Sequence, residues 1–118
     1  VILVDTSVWI DHLRVANVRL AALLYDGQVC CHPFVIGELA CGNLRRRDEF
    51  LSLLANLSKV TVVSDEEAMR FIDGHRLMGQ GSGWTDVHLL ASAAAAPAQL
   101  WSTDRRLIGA SIRLGVGI

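Results

Sequence analysis

Apolar positions along this chain fall into two kinds of run. Short, continuous stretches occupy Val1–Val4, Gln28–Cys31, Val60–Val63 and Leu100–Ser102, several of them rich in β-branched residues. They are too short for helices and stop at polar or turn-forming residues, the pattern of strands buried on both faces. Between them, apolar residues recur at helical spacing over Val8–Arg14, Val18–Tyr25, Phe34–Cys41, Arg46–Leu57 and Trp84–Ala96. In the Arg46–Leu57 segment Phe50, Leu53, Leu54 and Leu57 make one stripe. Pro33 suits a first helical position, and Gly42-Asn43 closes that helix. Ser64-Asp65-Glu66-Glu67 has the form of a capping box before a further helix, and Asp104-Arg105-Arg106 opens the last one. Strands alternating with helices predict an α/β domain. Its central sheet is mainly parallel, with four to five short strands and helices on both faces. With 118 residues the chain makes one domain, residues 1–118.

Composition narrows the classes. Hydrophobic residues at 52% and charged residues at 19% exclude a disordered tail. The richest apolar stretch, Val87–Trp101, is broken by His88, Ser92, Pro97 and Gln99, so no membrane span is expected. Val1–Asp5 lacks the basic start and cleavage site of a signal peptide, and the cytoplasm is the expected location. Cys30, Cys31 and Cys41 cannot form a fully paired set; they suit a reducing compartment and read as small core residues. His12, His32, His75 and His88 have no zinc-ligand spacing and are expected to be structural or at the surface. Gly79, Gly81 and Gly83 mimic a phosphate loop, yet they follow a helical pattern and lack the dinucleotide spacing; a flexible loop beside a cleft fits better. Trp9 and Trp101 are expected in the core.

Four acids stand apart from those on polar helix faces. Asp5 closes the first strand, which places it at the carboxyl edge of the sheet, where open α/β folds bind ligands. A helix N-cap would explain it equally well. Glu38 is the only ionisable residue from Pro33 through Gly42, in a helix read as buried, where an unpaired carboxylate is costly. Asp86 enters an otherwise apolar helix beside Thr85. Asp104 repeats the strand-then-acid order after Leu100–Ser102. Converging on one edge, four carboxylates need a cation, because like charges raise each other's pKa. An all-oxygen set selects a hard ion, Mg²⁺ or Mn²⁺. Metal-dependent phosphodiester hydrolysis is the reaction class that matches.

The same blocks resemble a known family. Val4–Asp11, Ile36–Leu39, Trp84–Ala91 and Ser102–Leu107 are similar to the motifs of PIN-domain ribonucleases, above all the VapC toxins of VapBC toxin–antitoxin modules. The likeness covers essentially the whole chain, in the family's order. It implies a PIN-like fold and an Mg²⁺- or Mn²⁺-dependent endoribonuclease toxin that inhibits translation. It implies as well an RNA substrate, a homodimer, and neutralisation by a VapB-type antitoxin whose C-terminal segment covers the active site, in a complex that extends to larger hetero-oligomers. The family's acidic quartet falls on Asp5, Glu38, Asp86 and Asp104. Asp5 and Asp86 are the expected direct metal ligands, Glu38 a ligand or water-positioning base, and Asp104 the residue that completes the shell. Thr6, Ser7 and Thr103 would orient carboxylates or waters behind them. Arg105 and Arg106 are candidate RNA contacts or plain solvated arginines; Arg45-Arg46-Arg47 is the one basic cluster. The Ala93–Ala96 run departs from the larger residues expected there, which bears on packing or dimer contacts.

Two rivals remain. A phosphoryl-accepting Asp5 lacks a neighbouring Asp-x-Asp acid and a strand-end lysine, since Lys59 precedes a strand. A PIN-fold module that binds RNA or protein without catalysis is the alternative to the enzyme. The formal charge of -1 does not oppose RNA binding. Setting the quartet apart from the twelve acids leaves eight, against eleven bases.

Overall fold

A computed structural model describes residues 1–118. The elements run β1 (Ile2–Val4), α1 (Thr6–Arg14), α2 (Val18–Tyr25), β2 (Val29–Cys31), α3 (Pro33–Ala40), α4 (Arg47–Asn56), β3 (Ser58–Lys59), α5 (Asp65–His75), α6 (Trp84–Ala95), β4 (Gln99–Trp101) and α7 (Arg105–Arg113). The four strands make one parallel sheet in the order β3-β2-β1-β4. A single bridge from Leu100 to Gly117 adds a rudimentary fifth position beyond β4.

The central strands explain the short apolar runs. Neighbouring strand residues point to opposite faces, and all of Ile2, Leu3 and Val4, like Val29, Cys30 and Cys31, are buried. Both faces of the sheet are therefore covered by helices, as expected of a parallel sheet. The core draws in Trp9 from α1, Leu20 from α2, Leu54 from α4 and Leu89 and Leu90 from α6. At 118 residues such a core forms without disulfides.

Chain order decides where a ligand can sit. From β1 the chain steps outward to β2 and β3, then crosses back to place β4 on the other side of β1. The carboxyl ends of β1 and β4 thus flank the switch point, the crevice where open α/β sheets bind ligands. Asp5 follows β1 and Asp104 follows β4 within three residues. The Asp5 amide donates to the Trp101 carbonyl at 2.9 Å, so the two chain segments leave the sheet side by side.

The third strand is displaced from its expected place. Pairing uses Ser58 and Lys59, and only the Val60 amide extends it, donating to Cys31 at 2.9 Å. The reason lies in the partner: β2 ends at Cys31 because Pro33 begins α3, so Thr61–Val63 have no strand to join. Thr61 instead accepts a hydrogen bond from the Ser92 hydroxyl of α6 at 2.8 Å. Cys30 and Cys31 are core residues as expected, but Cys41 is exposed at the end of α3. The capping box at α5 forms as read, Ser64 accepting from the Glu67 amide and Glu67 from the Ser64 amide. Of the alanine run, Ala93 is buried while Ala94–Ala96 are exposed at the end of α6.

Candidate active site

Asp5 occupies the N-cap position of α1, yet its side chain caps nothing. It is 8% exposed, and its Oδ2 accepts hydrogen bonds from the Ser7 hydroxyl at 2.7 Å and the Ser102 hydroxyl at 2.8 Å. Each hydroxyl in turn accepts a backbone amide: Thr103 donates to Ser7 at 3.0 Å and Asp104 to Ser102 at 2.9 Å. Both serine hydroxyls donate and accept in this small network, which makes it rigid. It also fastens the end of β1 to the end of β4.

Asp104 does cap. Its Oδ1 accepts from the amides of Arg106 and Leu107 at 2.9 and 3.1 Å, the favourable place for a carboxylate at a helix N-terminus. Asp86 stands in the first turn of α6, where its Oδ2 receives the Gly83 amide at a long 3.4 Å. In each of the three aspartates one oxygen meets protein donors and the other meets none. Glu38 has no hydrogen bond of good geometry on either oxygen; the hydroxyl it faces is Thr6 Oγ1, itself buried and without a partner.

Electrostatics tie the four together. Partial burial raises the Glu38 pKa, and the negative charges of Asp5 and then Asp86 raise it further, against the Thr6 hydroxyl. Burial also raises the Asp86 pKa; the Gly83 amide opposes this, while Asp5 and Asp104 add to it. One correction concerns the reason Glu38 stood out. It is not on a buried helix face: with Gly37 it lies on the exposed side of α3, while Val35 and Leu39 enter the core. Its carboxylate is neighboured by acids and has no basic partner.

The donor set fits a hard divalent cation in kind, being all oxygen with one unengaged oxygen on each aspartate. The acids face one another without closing to ligating distance of a common point, since no three His, Cys, Asp or Glu side chains stand at metal-binding spacing.

The polar residues expected behind the acids divide. Ser7 reaches Asp5 directly, and Thr6 faces Glu38. Thr103 supplies only its backbone amide; the hydroxyl that reaches Asp5 from the end of β4 belongs instead to Ser102, which is not among the expected residues. A signal existed: Asp5-Thr6-Ser7 and Ser102-Thr103-Asp104 are the same triplet reversed, and in both the serine two residues from the aspartate makes the bond. Arg105 and Arg106 are exposed at the head of α7 and form no ion pair. The Arg106 stem lies across Gly81, where φ is +86° and a Cβ would stand 2.6 Å from Arg106 Cδ. That contact seats the glycine loop against the head of α7.

His32 and His88 are fully buried, between Phe34 and Trp84. His32 caps α3 by accepting the Phe34 amide at 2.9 Å, and burial followed by the nearby His88 lowers its pKa to about 4. His12 accepts the Asn17 amide at 2.8 Å, and His75 is exposed. Trp9 is in the core, while Trp101 is only half-buried, with the Arg19 guanidinium 5.0 Å from its ring centroid.

A parallel α/β sheet with acids gathered at its switch point is the frame of a PIN domain, and the PIN domain profile matches residues 2–111. The chain belongs to the PIN-domain family, in its VapC-type branch. It is 49% identical over 118 residues to Ribonuclease VapC32 of Mycobacterium tuberculosis, in strain CDC 1551 / Oshkosh and in strain ATCC 25618 / H37Rv; the match covers 99% of this chain and 95% of the relative. The crystal structure of PAE2754 from Pyrobaculum aerophilum has the same fold, with a TM-score of 0.61 over 97% of this chain and 94% of that one, at 18% identity.

Proposed function

We propose that this chain is the toxin of a VapBC-type module: an Mg²⁺- or Mn²⁺-dependent endoribonuclease that hydrolyses RNA phosphodiester bonds, inhibits translation and is neutralised by a VapB-type antitoxin. The observation that carries the proposal is Asp5. A carboxylate placed at an N-cap and bound instead by two serine hydroxyls, with Glu38 and Asp86 close enough for its charge to raise their pKa values, is built to act on something other than its own helix. The 49% identity to a relative named as a ribonuclease supports the substrate class.

Asp5 and Asp86 would hold the cation, with Glu38 as a further ligand or as the group that positions water, and Asp104 completing the shell. When bound, the ion supplies Lewis-acid polarisation of the phosphate and a water of lowered pKa. Ser7 and Ser102 keep the free oxygen of Asp5 turned toward the crevice. Glu38 and Asp86, both with raised pKa values, would each accept a proton more readily than an ordinary carboxylate. Arg105 and Arg106 flank the crevice as contacts for RNA phosphates. The toxin would work in the cytoplasm as a homodimer of single-domain chains, joining the antitoxin in a larger hetero-oligomer. No helix is long and apolar enough to cross a membrane.

The test is cleavage of single-stranded and structured RNA by purified protein. Cleavage is expected with Mg²⁺ or Mn²⁺, none in excess EDTA, and restoration when the ion is returned. Absence of cutting under every ionic condition would overturn the enzyme and leave the non-catalytic binding module in its place.

A further inference from the structure

Glycines occupy positions 79, 81 and 83 of the loop that leads into α6. Such a stretch has few side chains to fix itself and loses the most conformational freedom on ordering. Yet Asp86 depends on it, because the one hydrogen bond its carboxylate receives comes from the Gly83 amide, at 3.4 Å. A Cβ at Gly79 or Gly83 would meet nothing within 4 Å. At Gly81 it would stand 2.6 Å from Arg106 Cδ, 3.0 Å from Nε and 3.2 Å from Nη1. The Arg106 side chain therefore lies along the Gly81 backbone in space that only glycine leaves, and the φ of +86° there favours glycine as well. The adjoining Ser82 hydroxyl is buried without a partner, so this part of the loop is packed against the body of the protein. The root of Arg106 is fixed too: its amide donates to Asp104 Oδ1 at 2.9 Å. One residue thus touches both approaches to the crevice, by its amide at Asp104 and by its stem at the loop that leads to Asp86.

We propose that the stem of Arg106 is a positioning brace for the acidic site: lying on Gly81, it fixes the loop and so sets where Asp86 stands relative to Asp104. The inference rests on the ribonuclease function proposed above and adds to it a residue that acts through the acids without itself reaching the ion. The need for a brace follows from the unequal support of the acids. Asp5 is held by two hydroxyls and Asp104 by two backbone amides. Asp86 has one long bond, from a residue with no side chain. Mg²⁺ demands near-ideal octahedral geometry, so a loop free to wander would scatter Asp86 and loosen the hold on the ion. Long basic side chains cover neighbouring surface with their methylenes while the charged head stays in water. Bracing by the stem is therefore compatible with a phosphate contact by the head, and the two roles draw on different parts of one side chain. The brace needs an unbranched chain long enough to cover Gly81. The phosphate contact needs positive charge.

The experiment is a substitution series at Arg106 with three readouts. These are hydrogen exchange of the Gly83 and Val87 amides in EDTA, Mn²⁺ binding without RNA followed by electron paramagnetic resonance, and the salt dependence of single-stranded RNA binding in EDTA. Val87 reports on the junction because its amide donates to the Gly83 carbonyl at 3.0 Å. Arg106→Ser removes stem and charge together. It should speed exchange of both amides and weaken Mn²⁺ binding by about three- to tenfold, with the thermal melt unmoved. Arg106→Met keeps a chain of similar reach without the charge. Its exchange and Mn²⁺ affinity should stay close to wild type, while the slope of log K against log salt becomes shallower by about 0.7, one phosphate contact. Arg106→Lys should hold all three. Gly81→Ala should weaken Mn²⁺ binding as Arg106→Ser does, and the double variant should be no worse than Gly81→Ala alone, since one brace cannot be broken twice. If Arg106→Met binds Mn²⁺ as weakly as Arg106→Ser while Arg106→Lys holds, charge and not the stem is what counts, and the brace is wrong. If Arg106→Ser leaves exchange and Mn²⁺ affinity unchanged in a chain that cuts RNA, the brace is wrong and the ribonuclease stands. If the wild type binds no Mn²⁺ and cuts no RNA, the ribonuclease proposal fails, and the positioning role with it.

Discussion

The two halves of the acidic cluster are held by different physics. On the sheet side, Asp5 and Asp104 sit where strands end, and serine hydroxyls and backbone amides clamp them in a network with every donor used. On the helix side, Glu38 and Asp86 have little such support: one has no well-formed hydrogen bond, the other a single long one, and both have pKa values raised by burial and by neighbouring acids. The first half is arranged by the backbone. The second is left in mild electrostatic conflict, the state in which added positive charge has most to offer. A site divided this way combines a fixed reference point with two carboxylates whose mutual repulsion a cation would relieve.

That contrast can be broken experimentally, beginning with its anchor. Asp5→Asn should lower RNA cleavage on the order of a thousandfold with the fold intact, measured as initial rate at saturating Mg²⁺ alongside a thermal melt; near-normal rates would remove Asp5 from the chemistry. Next in size, Ser102→Ala should cost about 10- to 100-fold in apparent metal affinity or rate, the usual penalty for removing a group that orients a ligand. Thr103→Ala should stay within about twofold, because only the Thr103 amide is engaged. Equal effects from the two variants would show that the rigid half does not depend on the hydroxyl to Asp5.

The responsive half is tested through pH. His32, at the head of the helix that carries Glu38, has its pKa lowered from 6.5 to about 4. A lowered histidine pKa means the unfolded chain binds the extra proton. Its contribution is therefore complete above pH 6.5 and lost as pH falls toward 4. About 3 kcal/mol is involved. In denaturant melts, His32→Asn, which preserves a capping acceptor, should flatten that decline; an unchanged pH slope would count against the assignment.

Glu38 and Asp86 carry the opposite sign and a smaller effect. Their folded pKa values lie above the ordinary 4.5 and 3.8, so the native state is favoured while they are protonated and loses that advantage as pH rises through the raised values. In EDTA, Glu38→Gln and Asp86→Asn should raise Tm at pH 7 by roughly one to three degrees and have no such benefit near pH 3.5. A lower Tm at pH 7 for both would show that no conflict exists to relieve.

Much of this was readable along the chain, for reasons that can be located. Val1–Val4 and Leu100–Ser102 read as buried strands because a strand covered on both faces must be apolar throughout. The acids that follow them stood out for the same reason. Ser64 and Glu67 make their capping box from contacts three residues apart, which a linear reading sees directly. The errors share the opposite cause. Val60–Val63 had every local mark of a strand, yet pairing depends on a neighbour that stops at Cys31. Glu38 stands as a charge in an apolar helix, and the exposed side of α3 is hidden along the chain by the apolar residues around it. Thr103 is the hydroxyl next to Asp104 in the sequence, and only the path of the chain after β4 turns Ser102 instead toward Asp5.

The sequence by itself determined the alternation of strand and helix, the placing of Asp5 and Asp104 at strand ends, and the kind of chemistry four such acids can perform, because each rests on local periodicity or on the nature of the side chains. Only the tertiary structure decided that β4 lies against β1, so that residues 97 positions apart share a hydrogen bond at Asp5. It alone laid the Arg106 stem across Gly81, joining the approaches to Asp86 and Asp104. Strand order and the meeting of distant loops are set by burial of the whole core at once, a global quantity that no window of neighbouring residues contains.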